Sequence, residues 1–336
     1  MVDPVGAEHH VNYYLYSMIA RVVDTVLDRS IALGYGNVGL LARRRLPGWP
    51  ADTPRMDGAV VLVTGAASGL GLATAQGFAR LGATVHALAR EEARAATAVE
   101  RITDAVPGAA VRPESCDVSD LKALRAFAEA FAQRVPRLDV LVNNAGAMPD
   151  DRTRSADGHE LMFATHVLAP LALTTLLAPA LGRVINVSSG GMYSQALPVG
   201  DWESERSAYS PKRLYARTKR EQIVITEFMA ERLRDRGVVV HGMHPGWADT
   251  EGVRQWMPLF RTITGPIIRS PDQGADTIVW LGAAPEPLEQ TGLFWHDRRP
   301  RPTHYRLGAA PDSDADRQAL WGYCEDALAR AGIPAL

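Results

Sequence analysis

The chain has few cysteines, few lysines and little net charge. The scarcity of cysteine limits the compartment in which the protein is expected, and the low net charge limits the kind of partner. Its two isolated cysteines, Cys116 and Cys324, form no disulfide framework and are typical of a reducing compartment. The formal net charge is −2, so nothing in the balance indicates a nucleic-acid partner. Three lysines stand against 33 arginines, and Lys212 and Lys219 lie in one stretch beside tyrosines.

The N-terminal segment lacks the features of a secretory signal and of a membrane-spanning helix. It has no charged n-region, and no small-residue cleavage site follows an apolar core. Arg21, Asp24, Asp28 and Arg29 interrupt the apolar stretch, so no run of about 18 uncharged apolar residues forms. We therefore expect a cytoplasmic protein.

What the N-terminal stretch does contain is an amphipathic pattern. Apolar residues recur at helical spacing over residues 11–33 and predict a helix, and a Gly-, Pro- and Arg-rich linker follows. Two interpretations stay open. The helix packs on the body or on a partner subunit, or it makes peripheral membrane contact with Arg43, Arg44 and Arg45 near anionic lipid.

Beyond Met56, buried apolar runs alternate with helical patterns. This alternation predicts an α/β fold with a doubly wound parallel sheet, a Rossmann fold, whose ligands bind at the carboxyl ends of the strands. Strands are expected at residues 59–64, 83–90, 109–118, 138–146, 182–191 and 238–246.

The same patterns divide the chain into three parts. Residues 1–55 hold the N-terminal helix and linker, and residues 56–310 form a single dinucleotide-binding and catalytic domain. A lid is expected over about 247–270. Residues 311–336 form a C-terminal helix that packs on the domain.

The turn between the first strand and the first helix has the composition of a phosphate loop. "VTGAASGLG" places glycines where positive φ and close approach of a pyrophosphate are needed, and the helix behind it offers free N–H groups. The predicted cofactor contacts are Gly65, Ala67, Ser68, Gly69, Leu70 and Gly71.

The end of the second strand indicates which dinucleotide binds. NAD sites usually place an acid there for the ribose hydroxyls, whereas this chain has Ala89 followed by Arg90. Because arginine binds phosphate well, we predict that NADP(H) is preferred over NAD(H). The alternative is that Arg90 is an ordinary solvated arginine.

One tyrosine in "AYSPKRLYARTKR" has a lysine one helical turn onward. Tyr215 and Lys219 lie on one helix face, whereas Tyr209 has Arg213 at that offset. A neighbouring cation lowers the pKa of a tyrosine towards working pH, so Tyr215 is the predicted general acid/base for hydride transfer. Ser188 and Ser189 end the fifth strand, and strand alternation lets only one of them face the site.

The motifs "TGAASGLG", "CDV", "NNAG", "NVSSGG", "YARTK" and "HPGWADT" together resemble the short-chain dehydrogenase/reductase family over about residues 57–300. "SSGGM" and "HPGWADTEGVRQWMP" resemble its dehydrogenase/reductase member 12 subgroup, which is related to retinol-dehydrogenase-like enzymes. The resemblance implies that Ser189 polarises the carbonyl and that Lys219 also holds the ribose. It further implies cofactor contacts for Asp117, Val118, Asn144, Ala145, Gly146, Pro245, Gly246 and Thr250.

One position departs from the family pattern. His166 stands where the family usually has an asparagine that holds water near the lysine. Imidazole also hydrogen-bonds water and titrates near neutrality, so His166 is a candidate for the proton relay. The alternative is a structural core histidine.

The substrate side is rich in apolar and aromatic residues. Met192, Tyr193, Trp247 and Trp256 are the predicted pocket residues, and they favour a lipophilic ketone, aldehyde or alcohol. The alternative is that the lid residues Trp247 and Trp256 only pack the lid onto the body.

Two other functions stay open: a regulatory or scaffold protein that binds nucleotide without turnover, and a redox-neutral epimerase or dehydratase. The resemblance also implies a homodimer or homotetramer, paired through the exposed faces of the two long helices before and after the fifth strand. No metal site is expected.

Overall fold

The computed structural model describes residues 18–50, 53–249, 254, 261–262, 264–305 and 308–336. The strands are β1 (Val60–Thr64), β2 (Thr84–Ala89), β3 (Val111–Ser115), β4 (Leu138–Asn143), β5 (Leu181–Val187), β6 (Val239–Met243), β7 (Phe294–His296) and β8 (Arg299–Arg301). The helices are α1 (18–29), α2 (Ile31–Gly34), α3 (Asn37–Arg44), α4 (Gly69–Arg80), α5 (Glu92–Ala105), α6 (Leu121–Arg134), α7 (Leu161–Ala180), α8 (Pro211–Leu233), α9 (Pro271–Ala283) and α10 (Asp314–Arg330).

The strands form one sheet in the order β3-β2-β1-β4-β5-β6-β7-β8. Neighbouring strands from β3 to β7 are parallel, and β8 runs antiparallel to β7. The predicted doubly wound fold is confirmed, and the strand order reverses between β1 and β4, where such folds bind ligands. The β7–β8 hairpin was not predicted; its turn residues Asp297 and Arg298 have φ of 49° and 54°, as a two-residue type I′ turn requires.

Both faces of the sheet are covered, which is why its strands are nearly continuous apolar runs. Helices α4, α5 and α9 pack on one face around Phe78, Ile102 and Trp280. Helices α6, α7, α8 and α10 pack on the other face. Within the described ranges, α7 is the one helix long and apolar enough to cross a membrane, and 89% of its apolar window is buried in this core.

Helix α10 covers the outer faces of the two long helices. Trp321 lies 5.3 Å from the ring of Phe228 on α8, and Tyr323 lies 5.8 Å from Phe163 on α7. The guanidinium of Arg232 lies 4.1 Å from the Trp321 ring. The resemblance implied that subunits pair through these long helices, but in this chain its own C-terminal helix occupies much of that surface.

The N-terminal part differs from the prediction in two ways. The helix described there ends at residue 29 and a second begins at Ile31, and residues 1–17 lie outside the described part. The predicted linker is wrong over Asn37–Arg44, which form a helix. Glycine is typical of a linker, but Gly39 allows α3 to pack tightly on α2. A Cβ at this position would lie 2.5 Å from the Leu33 carbonyl oxygen. Arg43, which the membrane interpretation placed near anionic lipid, is fully buried.

Helix α1 packs on the domain with its charged face. Asp24 and Asp28 are buried, at 7% and 6% exposure. Asp24 accepts hydrogen bonds from Arg43 and Arg301, and Asp28 accepts one from the Tyr305 hydroxyl at 2.6 Å. The apolar stripe of the predicted amphipathic helix therefore faces outward rather than towards the core.

Candidate active site

Loops at the carboxyl ends of adjacent strands bring the predicted site residues together. The β1–α4 turn carries Gly65, the loop after β4 carries Asn144, the loop after β5 carries Ser189 and the loop after β6 carries Gly246. Thr250 and Trp256, predicted for the cofactor and the substrate, lie outside the described residues, as does part of the predicted lid.

The phosphate loop has the shape that a pyrophosphate requires. Gly65 and Gly69 have φ of 68° and 53°, a region that favours glycine. A side chain on Gly71 would overlap the carbonyl oxygen of Gly65. Ser68, the N-cap of α4, makes no capping bond to the described part of the chain, so the first N–H groups of α4 stay available for an anion. These features fit a bound dinucleotide.

The loop after β4 is fixed to the end of β1 by hydrogen bonds that the sequence did not reveal. The Thr64 hydroxyl accepts from the backbone N–H groups of Asn144 and Ala145, both at 2.9 Å. The Asn144 side-chain amide donates to the Thr64 carbonyl, also at 2.9 Å. Ala145 and Gly146 thereby hold their place beside the phosphate loop.

The adenosine side of the site presents two cations. Arg90 follows β2 and is well exposed, with its Nη2 3.4 Å from the Glu91 carboxylate. Arg101 was not predicted; it reaches from α5 and donates to the Ala67 carbonyl of the phosphate loop at 3.2 Å. Spacing gives no signal for Arg101, because it arrives from a separate helix. Asp117 accepts from the backbone N–H of Ser119 at 3.0 Å and is followed by buried Val118.

The two serines after β5 point in different directions. The Ser188 hydroxyl is buried and donates to the Lys219 carbonyl at 2.9 Å. The Ser189 hydroxyl interacts with the Tyr215 hydroxyl and lowers the pKa of that group. Ser189 is thus the serine that faces Tyr215, as the resemblance implied.

Tyr215 and Lys219 share one face of α8. The Lys219 Nζ lies 5.7 Å from the Tyr215 ring centroid and donates to the Val187 carbonyl at 2.8 Å. Burial raises the pKa of Tyr215 to about 12, against the opposing hydrogen bond from Ser189. Burial also lowers the pKa of Lys219 to about 7. The expected lowering of the Tyr215 pKa by Lys219 is therefore not seen, since burial sets the direction of the shift and the opposing effect comes from Ser189.

His166 is fully buried, with both ring nitrogens in hydrogen-bond contact with protein groups. The Ala147 backbone N–H donates to Nε2 at 3.1 Å, so the neutral ring carries its hydrogen on Nδ1. Nδ1 lies 2.8 Å from the Thr218 hydroxyl oxygen, and that hydroxyl lies 3.0 Å from the Tyr215 carbonyl. Burial, helped by Lys219, holds the pKa of His166 well below its usual value. This geometry favours the structural interpretation over a proton relay.

The turn of α7 around His166 is a π-helix over Ala164–Leu168, closed by a bond from the Ala169 N–H to the Ala164 carbonyl. Such wide turns are common at functional sites. Its cause is Pro170, which lacks an N–H and so cannot donate to the His166 carbonyl four residues earlier.

We expect His166→Asn to leave the shape of the pH–rate profile unchanged and to lower the free energy of unfolding by about 1–3 kcal/mol. The shorter side chain cannot hold both Ala147 and Thr218. Steady-state kinetics between pH 5 and 9, beside urea unfolding, measure both effects. Loss of an ionisation near neutral pH in the variant would instead support the relay.

The predicted pocket residues Met192, Tyr193 and Trp247 pack against other protein groups rather than line an open cleft. Met192 is fully buried and packs with Ile223 and Phe294. The Tyr193 hydroxyl donates to the Pro302 carbonyl at 2.8 Å. Trp247 is half-buried beside the Pro245–Gly246 turn. Contact of these side chains with a substrate stays a prediction.

Comparisons with known proteins agree with this geometry. The sequence model of the family described as short chain dehydrogenase matches residues 59–258. Dehydrogenase/reductase SDR family member 12 of Bos taurus is 41% identical over 282 residues, covering 82% of this chain and 88% of that protein. Retinol dehydrogenase 14 of Mus musculus is 34% identical, covering 73% of this chain and 80% of that protein.

A solved structure is also similar. It is described as an NAD(P)-dependent gluconate 5-dehydrogenase from Beutenbergia cavernae with NADP bound at low occupancy. It superposes with a TM-score of 0.57 at 25% identity, covering 71% of this chain and 95% of that one. Fold, site geometry and sequence identity all lead to one assignment: the chain belongs to the short-chain dehydrogenase/reductase family and is an oxidoreductase of that family.

Proposed function

We propose that the protein is an NADP(H)-dependent oxidoreductase that interconverts a lipophilic ketone or aldehyde and its alcohol. The observation that carries this proposal is the placement of Tyr215 and Lys219 one helical turn apart, with the Lys219 Nζ 5.7 Å from the Tyr215 ring centroid, beside Ser189 at the end of β5. Because the pKa of Tyr215 is about 12, its hydroxyl carries a proton at neutral pH, as carbonyl reduction requires.

Each part of the site has a separate role in the proposed reaction. When bound, the nicotinamide cofactor supplies or accepts the hydride. The β1–α4 turn would hold its pyrophosphate, and the Pro245–Gly246 turn would lie beside the nicotinamide. Tyr215 donates its hydroxyl proton to the substrate oxygen, and Ser189 donates a hydrogen bond to the same oxygen. The Val187 carbonyl accepts a hydrogen bond from Lys219 and holds its side chain on the same helix face as Tyr215.

NADP(H) preference is supported by Arg90 and Arg101 beside the phosphate loop and by the NADP in the similar solved structure. We expect Arg90→Ala to raise the Kd for NADPH roughly 10-fold, the effect of one lost charge-assisted phosphate contact, and to leave the Kd for NADH unchanged. Fluorescence titration measures both constants. Arg94→Ala, an exposed arginine one turn onward, is the matched control. Equal effects on both cofactors would refute the preference.

A lipophilic substrate is supported by the aromatic residues around the site and by the retinol dehydrogenase relative. The test is NADPH oxidation by the full-length protein across a panel of aliphatic, aromatic and retinoid carbonyls, beside Tyr215→Phe. The proposal expects turnover that rises with substrate hydrophobicity and is lost in the variant. NADPH binding without any turnover would favour the scaffold interpretation. A changed substrate without net NADPH oxidation would favour epimerisation or dehydration.

We also propose that the protein docks on the cytoplasmic surface of an anionic membrane through its N-terminal helices. Eight of the ten large apolar side chains exposed among the described residues lie there. They are Met18, Ile19, Val22, Val23, Val26, Leu33, Val38 and Leu41. Every exposed charged side chain within residues 18–45 is an arginine, since both aspartates are buried. This pairing of apolar and cationic groups fits anionic lipid.

We expect Val22→Ser/Val26→Ser to weaken binding to phosphatidylserine-containing vesicles roughly 10-fold or more, because two exposed valines no longer enter the interface. Vesicle flotation measures this. The matched control is Val199→Ser/Leu288→Ser, which changes exposed apolar residues elsewhere. Equal flotation of all three proteins would contradict docking. Association of the wild type without vesicles, lost in the helix variant, would instead indicate a second copy as the partner.

A homodimer or homotetramer stays part of the proposal. Since α10 covers much of the outer surface of α7 and α8, pairing would need a different surface from the one that the resemblance implied.

A further inference from the structure

The segment between α2 and α3 lies across the carboxyl ends of β6 and β7. Its central residue, Tyr35, is 4% exposed. The ring centroid lies 4.5 Å from that of His244 after β6, 5.2 Å from that of His296 on β7 and 6.2 Å from that of Trp247. An N-terminal residue outside the nucleotide-binding fold thus packs among the strand ends that carry the site.

Tyr35 touches the loop after β5 at Gly190, the residue that follows Ser189. A methyl group on Gly190 would overlap the Tyr35 Cε2 atom, so the ring fills the space that a side chain at 190 would need. Ser189 interacts with Tyr215, and its hydroxyl accepts a hydrogen bond from the Gly191 N–H at 3.2 Å. The Tyr35 ring therefore forms the rear support of the turn that orients Ser189.

The backbone of Tyr35 touches the loop after β6. The Trp247 N–H donates to the Tyr35 carbonyl at 2.8 Å. Gly246 has a φ of 74°, and a Cβ there would lie 2.5 Å from the same carbonyl oxygen. One residue thus supports both the Ser189–Gly190 turn and the Pro245–Gly246 turn.

Two buried arginines fix the backbone on either side of Tyr35. Arg43 donates to the Gly34 carbonyl at 2.8 Å, and Arg269 donates to the Gly36 carbonyl at 3.1 Å. Both guanidinium groups bind Asp297, each with a contact of 2.6 Å. The carboxylate lies in the β7–β8 turn, so the sheet edge anchors the N-terminal segment.

We propose that Tyr35 is a positioning residue of the active site, whose ring holds the Ser189–Gly190 turn and whose backbone holds the Pro245–Gly246 turn. The N-terminal segment is then an integral part of the catalytic pocket and not an appendage to it. The kinetic readout of this inference rests on the proposed function, because it needs turnover.

A double-mutant cycle on Tyr35 and Gly190 in the full-length protein tests the contact. We expect Tyr35→Ala and Gly190→Ala each to lower kcat roughly 10- to 100-fold, since small displacements of reacting groups have effects of this size. The KM for the carbonyl should change less than kcat. Tyr35→Phe keeps the ring and should keep kcat within about 2-fold of wild type. Leu288→Ala, an exposed leucine away from the N-terminal segment, is the matched control.

The double variant gives the deciding result. Removing the ring creates room for a methyl group, so Tyr35→Ala/Gly190→Ala should have a kcat within about 3-fold of Tyr35→Ala alone, because residues in contact are not additive. Two multiplied effects would overturn the proposal, as would a loss of activity in Tyr35→Phe equal to that in Tyr35→Ala.

NADPH affinity gives an independent readout if the wild type reduces no carbonyl in the panel. That result would refute the proposed function without deciding the role of Tyr35. Fluorescence titration of the four proteins of the cycle then decides it, since the Pro245–Gly246 turn would lie beside the nicotinamide of the bound cofactor. Non-additive changes in the Kd for NADPH support the role of Tyr35, and additive or absent changes overturn it.

Discussion

Tyr215→Phe is expected to lower kcat by roughly 10²- to 10⁴-fold and to leave the Kd for NADPH unchanged. The substitution removes one oxygen, which is both the proton donor and the partner of Ser189. The ring remains to pack against its neighbours Met148 and Leu214. Single-turnover reduction of a carbonyl from the panel measures the chemical step. The consumption of NADPH is followed by the absorbance of the reduced nicotinamide at about 340 nm.

The matched control is Tyr209→Phe, six positions earlier in the same stretch. The Tyr209 hydroxyl donates to the Pro149 carbonyl at 2.6 Å, so its loss should lower the free energy of unfolding by about 1 kcal/mol. Its kcat should stay within about 2-fold of wild type, because no hydrogen bond joins it to Ser189 within the described structure. Equal kcat losses in the two variants would mean that Tyr215 is not the proton donor.

Asp297→Asn is expected to lower the free energy of unfolding by about 3–5 kcal/mol, the range for breaking a buried ion pair. The carboxylate is 1% exposed and binds Arg43 and Arg269, both fully enclosed. Removing its charge leaves Arg43 with Asp24 alone and takes away the carboxylate that pairs with Arg269. Burial raises the pKa of Asp297, yet His296, Arg269 and Arg43 outweigh it and hold the pKa well below its usual range.

The linkage to pH has a definite sign. A carboxyl whose pKa is lowered by folding stabilises the protein above its unfolded pKa of about 3.9, and this contribution is lost as pH falls through the folded pKa. The difference between wild type and Asp297→Asn should therefore be constant from pH 6 to 8 and shrink below about pH 4. Urea unfolding across this range measures it.

Asp57→Asn is the control for this second prediction. Asp57 pairs with Arg55 at the surface, where both side chains are well exposed, so its loss should change stability far less than the loss of Asp297. Equal effects of the two substitutions would mean that the network around Asp297 does not anchor the N-terminal segment.

Local sequence patterns were sufficient to predict the fold and the reacting groups of the site. Buried strands are continuous apolar runs, so their number and order of appearance followed from the sequence, apart from the short β7 and β8. The phosphate loop and the pair Tyr215 and Lys219 are short-range motifs, because the reacting groups come from single turns. Arg101 and Thr64 left no such signal, since each meets its partner across the sheet or from another helix.

Long-range contacts decided how the N-terminal part is used. The sequence pattern of α1 predicts an apolar face packed inward, but Asp24 and Asp28 find buried arginine and tyrosine partners that lie about 275 residues away. Pairing of buried charges overrides hydrophobic periodicity there and turns the apolar face outward. Tyr35 likewise reaches Gly190 only in the folded chain, because the contact depends on where the sheet edge holds the segment.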